Sequence, residues 1–599
     1  MIVADFIIKK LVKFGIEQSF LVTGGAAMFL NNAIGQERKL KKKYCNNEQS
    51  AAIAAEVYAR IAKKPALLNV TAGPGVLNSL NGVFGAYTDS VPMIVLSGQS
   101  KRETSLQFKK IEGLRQLGDQ EMKTIEIVKY ITKRKYLIKS TKNLSIIINE
   151  AYKEAVSGRP GPVWIDVPID LQSAQLNNKE IKNLKKKFQL RISDKNKNFN
   201  ASKVFSLINS STKPLVLVGT GVKISQSKSE FLKFIDLYKI PAVTAWCHDL
   251  IESDHPLYIG RQGTIGTRCG NFATQNCDLL IVVGSRLSIR QISYNYKEFA
   301  KNAKIIWVDI DKNEFKKNFI KPFLKIETDA KYFFKKMINF KKRKKIKKFS
   351  NWLEWCSEIK DKYSPKYEEY KNFSRINPYH FVSELFDMLK SEDIVVCADA
   401  SATIVPFQIG KIIKNVQLIS NSGSASMGYD LPGALGALTA NPKARVICLA
   451  GDGSIMMNLQ DLASLSKYQN RLKIFILNND GYLSIKQTQK NFFGKEFGAS
   501  SRSGLDIPNF EKVGKSFGFN STTLEKKNRT EWSRKLKKIM QNKKISFINV
   551  KLALEQEFEP RLKSKKVGKK IFTPELDNMY PFLPKKELDN IRNLAILIK

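Results

Sequence analysis

Short apolar runs, several of them dominated by Val and Ile, recur along this chain in three groups, with helix-period segments between them. The first group is 66–71 (ALLNVT), 93–98 (MIVLSG) and 163–167 (VWIDV); the second is 214–218 (PLVLV), 279–283 (LLIVV) and 304–309 (KIIWVD). The third is 394–398 (IVVCA), 446–450 (VICLA), 474–478 (IFILN) and 545–550 (ISFINV). A strand buried on both faces reads as a continuous apolar run, and such strands joined by helices make parallel sheets. The expected fold class is therefore α/β, with three doubly wound parallel-sheet domains. Length agrees, since 599 residues correspond to about three to five domains. The expected divisions are 1–172, 195–335 and 376–555, followed by a tail at 556–599. The polar, lysine-rich stretch 172–200 reads as a linker, and the basic run 341–348 (KKRKKIKK) as a solvated junction.

Several function classes are excluded early. No run of 18 or more uncharged apolar residues exists, so no membrane-spanning helix is expected. The first 18 residues carry charges at helical spacing and do not resemble a signal peptide. Seven cysteines are scattered singly, without CxxC, which suits reduced thiols in a cytoplasm. Lys plus Arg number 100 against 55 Asp plus Glu, a formal charge of +45. The excess is mostly lysine and spread along the chain, so no nucleic-acid partner is expected, though anionic small molecules are favoured. Only His248, His255 and His380 are present, none in a recognisable motif, which argues against a histidine triad or a multi-histidine metal site.

The sharpest chemical signal lies in the third region. VICLAGDGS ends a strand at Gly451, Asp452 and Gly453, and after 24 intervening residues Asn478 and Asn479 end another. Asp452 offers a carboxylate oxygen, Asn479 an amide oxygen, and the backbone near Gly481 a carbonyl. With a diphosphate they supply the octahedral oxygen shell that Mg²⁺ requires. Gly451 and Gly453 permit close approach of a phosphate, and Ser454 starts a helix pattern whose N-terminus favours an anion.

At these residues the chain resembles the thiamine-diphosphate enzymes of the acetohydroxyacid (acetolactate) synthase type. The blocks YCNNEQSAAIAAEVYAR, TAGPGVLNSLNGVFGAYTDSVPMIVLSGQ and GSASMGYDLPGALGA carry the resemblance beside GDG and NN, and it covers nearly the whole chain. The resemblance implies a pyrimidine-binding domain, a middle domain and a diphosphate-binding domain. It also implies active sites shared between subunits of a homodimer or homotetramer. It makes Glu48 the carboxyl that activates the cofactor pyrimidine. Ser426 and Met427 become cofactor contacts, Met427 being the bulky residue beneath the bent cofactor. Gln120 becomes a contact to the reacting group, and the turn at 71–75 a pocket wall. Gly284, Ser285, Arg286 and Asp309 match flavin contacts, so FAD is a possible second cofactor. The cofactors implied are thus thiamine diphosphate and Mg²⁺, with FAD possible.

The chain departs from that family in two places. The synthases carry Gln-His-Gln-Met-Trp early in the last domain, where this chain has ASATIVPFQ at 400–408. They also carry a substrate-selecting tryptophan after NN, where this chain reads SIKQTQKNFF, with Gln489 near that position beside Thr488 and Lys486. A polar group there discriminates acceptors that can pair with it. The VTGGAAMFLNN segment, the SIKQTQ block and the tail are similar to a subgroup linked to branched-chain sugars. The function expected is a carboligase that decarboxylates pyruvate and passes a two-carbon acetyl unit to a carbonyl acceptor, either a keto-sugar nucleotide or a 2-keto acid. A C–C hydrolase acting on a cyclic dione is the alternative enzyme. A basic scaffold protein is the non-enzyme alternative.

Overall fold

The computed structural model describes residues 1–109, 111–185, 197–342, 344–568 and 570–598. Three parallel sheets of six strands each carry the architecture, flanked by helices. The predicted strands sit at or near their expected positions: Pro214–Val218, Leu279–Val283 and Lys304–Asp309 coincide with the apolar runs, and Leu472–Asn478 begins two residues earlier than its run. The strands that composition did not reveal are mostly polar. Lys41–Tyr44 (KKKY) and Arg134–Leu137 (RKYL) are the two edges of the first sheet and carry no continuous apolar run.

Numbered within its own sheet, the first sheet runs in the order 2-1-3-4-6-5, and the third sheet repeats that order. The middle sheet runs 6-5-4-1-2-3, the order of dinucleotide-binding sheets. In such sheets ligands bind beyond the strand C-termini where the order reverses. In the first sheet that point lies beyond Gln18–Leu21 and Ala66–Val70. In the third it lies beyond Ile394–Cys397 and Val446–Gly451, and in the middle sheet beyond Pro214–Val218 and Leu279–Val283.

The first and third domains share one core. The helix Glu48–Ala62 of the first packs against Asp430–Ala440 of the third, and their buried residues form a continuous apolar cluster with strands of both sheets. The seam uses small residues because the two backbones touch. A Cβ at Gly436 would lie 2.4 Å from the Ala54 carbonyl. On its other side the Glu48 helix is met as closely within the first domain, where a Cβ at Gly82 of the helix Pro74–Thr88 would lie 2.5 Å from Ala52. One buried polar network crosses it: the Tyr429 hydroxyl donates to Glu56 at 2.7 Å, and Arg60 pairs with Glu56 and, at 2.7 Å, with Asp89. Burial pushes the Glu56 carboxyl up.

The stretch expected to be a linker is partly structured. Asn178–Lys185 is a helix, because Ile181 packs on the first domain's core. Glu180 in it accepts the backbone N–H groups of Asn143 (3.2 Å) and Ser145 (3.3 Å) at the start of the helix Leu144–Val156. Residues 186–196 of that stretch lie outside the described residues. The basic run 341–348, apart from residue 343, which also lies outside them, begins at the end of the helix Ala330–Lys341 and leads to Ser350–Tyr363. The tail returns to the middle domain, where Leu588, Ile591 and Ala595 of its final helix join the core. Among the described residues no helix is long and apolar enough to cross a membrane. The cysteines are all free and buried.

Gly436→Ala is expected to separate the seam helices and cost about 1–3 kcal/mol, the usual range for overpacking. Chemical denaturation checks it: unchanged stability would mean that the two helices do not approach this closely.

Candidate active site

The strand Val446–Gly451 delivers Asp452 to the first turn of a short helix, with its side chain buried. Its Oδ1 accepts the N–H of Gly453 at 2.9 Å, and its Oδ2 accepts the N–H of Gly481 at 2.8 Å. The neighbouring strand, Leu472–Asn478, delivers Asn479 beside it. Asn479 Nδ2 donates to the Ser401 hydroxyl at 3.0 Å, which turns Oδ1 the other way, and Oδ1 is buried with no hydrogen-bond partner. An orphaned buried oxygen is costly, and a cation would satisfy it. Burial also pushes the Asp452 carboxyl up to about 6, a shift that an adjacent cation would relieve. Among the described residues no group of three or more His, Cys, Asp or Glu could hold a metal. The donor set is therefore one carboxylate with neutral oxygens, as Mg²⁺ takes when a diphosphate completes its shell. Gly481 has φ +110°, and a Cβ there would lie 2.3 Å from the Ala499 carbonyl. Lys486 was expected to face the acceptor. Instead its buried ammonium donates to the carbonyls of Asn479 at 2.6 Å and Asp480 at 3.2 Å, bracing the loop.

The turn at 425–428 is tied to the residues that follow Asp452. Ala425 (φ +53°) and Gly428 (φ +79°) both take left-handed backbone. Asn81 Nδ2 donates to the Ser426 hydroxyl at 2.7 Å. The Gly428 N–H donates to Ser454 Oγ at 2.9 Å, and its carbonyl accepts from Asn458 Nδ2 at 2.8 Å. Met427 stands half-buried between these anchors. Ser454 lies in the short helix Asp452–Ile455, and its hydroxyl donates to Asp430 at 2.6 Å, so the hydroxyl serves the protein.

Glu48 is the first residue of its helix, which Asn47 caps by accepting the Gln49 N–H at 2.7 Å. Its carboxyl is buried; Oε2 accepts from Asn78 at 3.0 Å, and Oε1 faces Gly75, whose absent Cβ would lie 3.3 Å away. The same helix turn touches the 425–428 region. Ser50 donates to Asn458 at 3.2 Å, and Gln49 Nε2 lies 3.5 Å from where a Gly428 Cβ would sit. Gln120 is exposed, at φ +51°, and its carbonyl closes on the 71–75 turn 2.5 Å from a Cβ at Gly73. The structure therefore brings Glu48, Gln120, Ser426 and Met427 to one region through the turns they share.

Gln489 does not behave as a selector. Both ends of its amide are taken by the backbone of Phe497: Nε2 donates to the carbonyl at 3.1 Å and Oε1 accepts the N–H at 2.9 Å. It holds the loop after the helix Leu483–Phe493. The residues of this helix that turn inward are Leu483, Lys486 and Gln487, and Gln487 Nε2 is buried without a partner. Asn81, Ser401, Asn458 and Asp430 were missed by the sequence reading. Their only signal was proximity to recognisable blocks, because each acts through a partner at least 24 residues away.

Three family models match, each named for a thiamine pyrophosphate enzyme domain: the N-terminal TPP binding domain over residues 1–126, the central domain over 201–337 and the C-terminal TPP binding domain over 402–550. The chain is 30% identical over 537 residues to the acetolactate synthase large subunit of Porphyra purpurea, covering 88% of each. It is 30% identical over 531 residues to the isozyme 2 large subunit of Escherichia coli, covering 88% of this chain and 92% of that one. The chain belongs to the thiamine pyrophosphate enzymes. It is a thiamine-diphosphate-dependent enzyme of the transferase or lyase kind, in the acetolactate synthase-like carboligase family. A solved thiamine diphosphate-dependent 4-hydroxybenzoylformate decarboxylase from Rhodococcus jostii superposes with a TM-score of 0.76 over 93% of this chain and 100% of that one. At 18% identity it supports the fold alone.

In this thiamine pyrophosphate enzyme a cleft of about 180 Å³ lies where the three domains meet. Gly219 and Gly221, Gly284 to Arg286 and Asp309 line its middle-domain wall, and Asp399 and Ser426 its C-terminal wall. Burial pushes Asp309 up to about 7. Arg159 of the first domain reaches Asp311 at 3.2 Å and Glu314 at 2.7 Å, tying the first domain to the middle one.

Asp452→Ala is expected to abolish metal-dependent binding of thiamine diphosphate instead of merely slowing turnover. Calorimetric titration with Mg²⁺ present checks it, and wild-type affinity in the variant would refute the site.

Proposed function

We propose that this chain is a Mg²⁺-dependent carboligase that decarboxylates pyruvate and transfers the two-carbon acetyl unit to a carbonyl acceptor, a keto-sugar nucleotide or a 2-keto acid. The observation that carries the metal assignment is the unpartnered Asn479 Oδ1 beside Asp452. Asp452, Asn479 and the Gly481 carbonyl would hold the ion against the diphosphate. Bound thiamine diphosphate supplies a nucleophilic carbon and an electron sink for carbanion chemistry. Glu48 holds and moves a proton at the pyrimidine nitrogen, and Asn78 orients the carboxyl for it. Met427 supports the ring system from the 425–428 turn. Gln120, from the turn at its side, faces the reacting group.

The inward face of the Leu483–Phe493 helix supports a polar acceptor, through Gln487 and not Gln489. A buried amide N–H left unpaired costs about 1–3 kcal/mol, and an oxygen-bearing acceptor would remove that cost where an alkyl chain would not. FAD is proposed for the three-domain cleft, where the glycine turns let a ligand approach the backbone closely and Asp309 offers a ribose acceptor. A homodimer or homotetramer is proposed as well. Within this chain the first domain docks on its own third domain through the Glu48 and Asp430 helices. Exchange of first domains between two copies would keep every one of those contacts. The cysteines, free and buried, support a cytoplasmic setting.

Glu48→Gln is expected to keep the fold and bind thiamine diphosphate, yet to lose about 10²–10⁴ in rate, the range for a lost acid–base group. Hydrogen–deuterium exchange at C2 of the bound cofactor measures it, and undiminished exchange would sink the role. Mixing Glu48→Gln with Asp452→Ala protein tests the shared site, since copies that exchange domains recover activity and self-contained copies do not. With labelled pyruvate and both acceptors present, a nucleotide-linked keto-sugar should outcompete 2-ketobutyrate. The opposite preference would return the enzyme to keto-acid chemistry.

A further inference from the structure

Asp430 opens the helix Asp430–Ala440 and is completely buried, yet the chemistry described above assigns it no part. Its Oδ1 accepts the neighbouring Leu431 N–H at 2.9 Å, a local bond that an amide oxygen could keep. Its Oδ2 accepts the Ser454 hydroxyl at 2.6 Å, and Ser454 Oγ in turn accepts the Gly428 N–H at 2.9 Å. The polarity of this chain is determined by chemistry. An ionised carboxylate only accepts, and a serine has one proton, so Ser454 must donate to Asp430 and offer a lone pair to Gly428. Gly428 follows Met427 directly, and Ser454 ends the Gly451–Ser454 phosphate loop. The other side of Gly428 is held by Asn458, which accepts from Ser50, two residues beyond Glu48.

We propose that Asp430 is a positioning residue: by setting the direction of the Ser454 hydroxyl it holds the 425–428 turn, and Met427 with it, in register with the phosphate loop and the Glu48 helix. The proposal rests on thiamine diphosphate binding at this site. Asp430→Asn is the sharpest probe, because it keeps the shape and reverses the polarity. The amide N–H and the Gly428 N–H would both point at Ser454 Oγ, and the serine proton would have to leave. Removing the buried charge leaves the fold intact, so a structural role and a positioning role separate in the readout.

At saturating Mg²⁺ and thiamine diphosphate, Asp430→Asn is expected to slow C2 hydrogen–deuterium exchange about 10- to 100-fold, the loss of one hydrogen bond to a charged group. The melting temperature of the cofactor-free protein should be unchanged or raised. Ser454→Ala should show the same loss, and the double variant should lose no more than either single one, because both break one chain. Wild-type exchange in Asp430→Asn, or losses that multiply in the double variant, would overturn the proposal. So would a lowered melting temperature with normal exchange. If Asp430→Asn does not fold, normal exchange in Ser454→Ala overturns it alone. Wild-type protein that binds no thiamine diphosphate would overturn the site reading as well, and calorimetry on the wild type tells that failure apart from the others.

Discussion

The contact between the helices Glu48–Ala62 and Asp430–Ala440 is the constraint on which the rest of the molecule depends. Two backbones can come this close only where side chains are absent, and Gly436 leaves no room for a Cβ against the Ala54 carbonyl. A merged apolar core holds the helices there. The approach places the Glu48 turn against the Gly428 turn, and so brings the carboxyl proposed to carry the proton from one sheet to the loop proposed to hold the diphosphate on another. Neither sheet alone contains a site. The buried Tyr429–Glu56–Arg60–Asp89 network adds direction to an otherwise apolar seam.

Each half of the site uses the same device. In both outer sheets the chain leaves a strand at the point where strand order reverses, and it turns through backbone that favours glycine. Gly73, after the third strand of the first sheet, has φ +59°, and Ala400, after the first strand of the third sheet, has φ +50°. An alanine in that region is strained, and strain of this kind persists where surrounding bonds over-determine it. Here the helix Ser401–Ile409 follows at once, and its Ser401 orients Asn479. The strained turn thus aims the amide oxygen that the proposed cation would meet. Two of the buried polar atoms without partners, Asn479 Oδ1 and Gln487 Nε2, belong to this third domain.

Asp452 and Asn479 were readable because each directly follows a buried strand, and parallel strands in one sheet bring their C-termini together whatever the loops do. Glu48 was readable by resemblance, since its block is distinctive, though nothing local says which loop it meets. Gln489 misled for a physical reason. On a helix, residues 487 and 489 point about 200° apart, and which one faces inward depends on how the helix rolls against its neighbours. Its amide serves Phe497, while Gln487 turns in. The direction of the Ser454 hydroxyl was not legible, because its acceptor, Asp430, comes from elsewhere in the chain.

The sequence by itself determined the α/β class, the strands buried on both faces, and the order of oxygen donors in GDG and NN. Those features are set by hydrophobic continuity and by residue type, both local. The edge strands, the repeat of 2-1-3-4-6-5 topology in two domains and the partial helix in the supposed linker emerged only in three dimensions. So did the direction of every hydrogen bond around Gly428. A polar edge strand is specified by its neighbour's unpaired backbone, not by its own side chains. A hydroxyl proton likewise goes where the surrounding acceptors put it. Asp430 and Ser454 are 24 residues apart in the chain and 2.6 Å apart in space, and that distance was decided by tertiary packing alone.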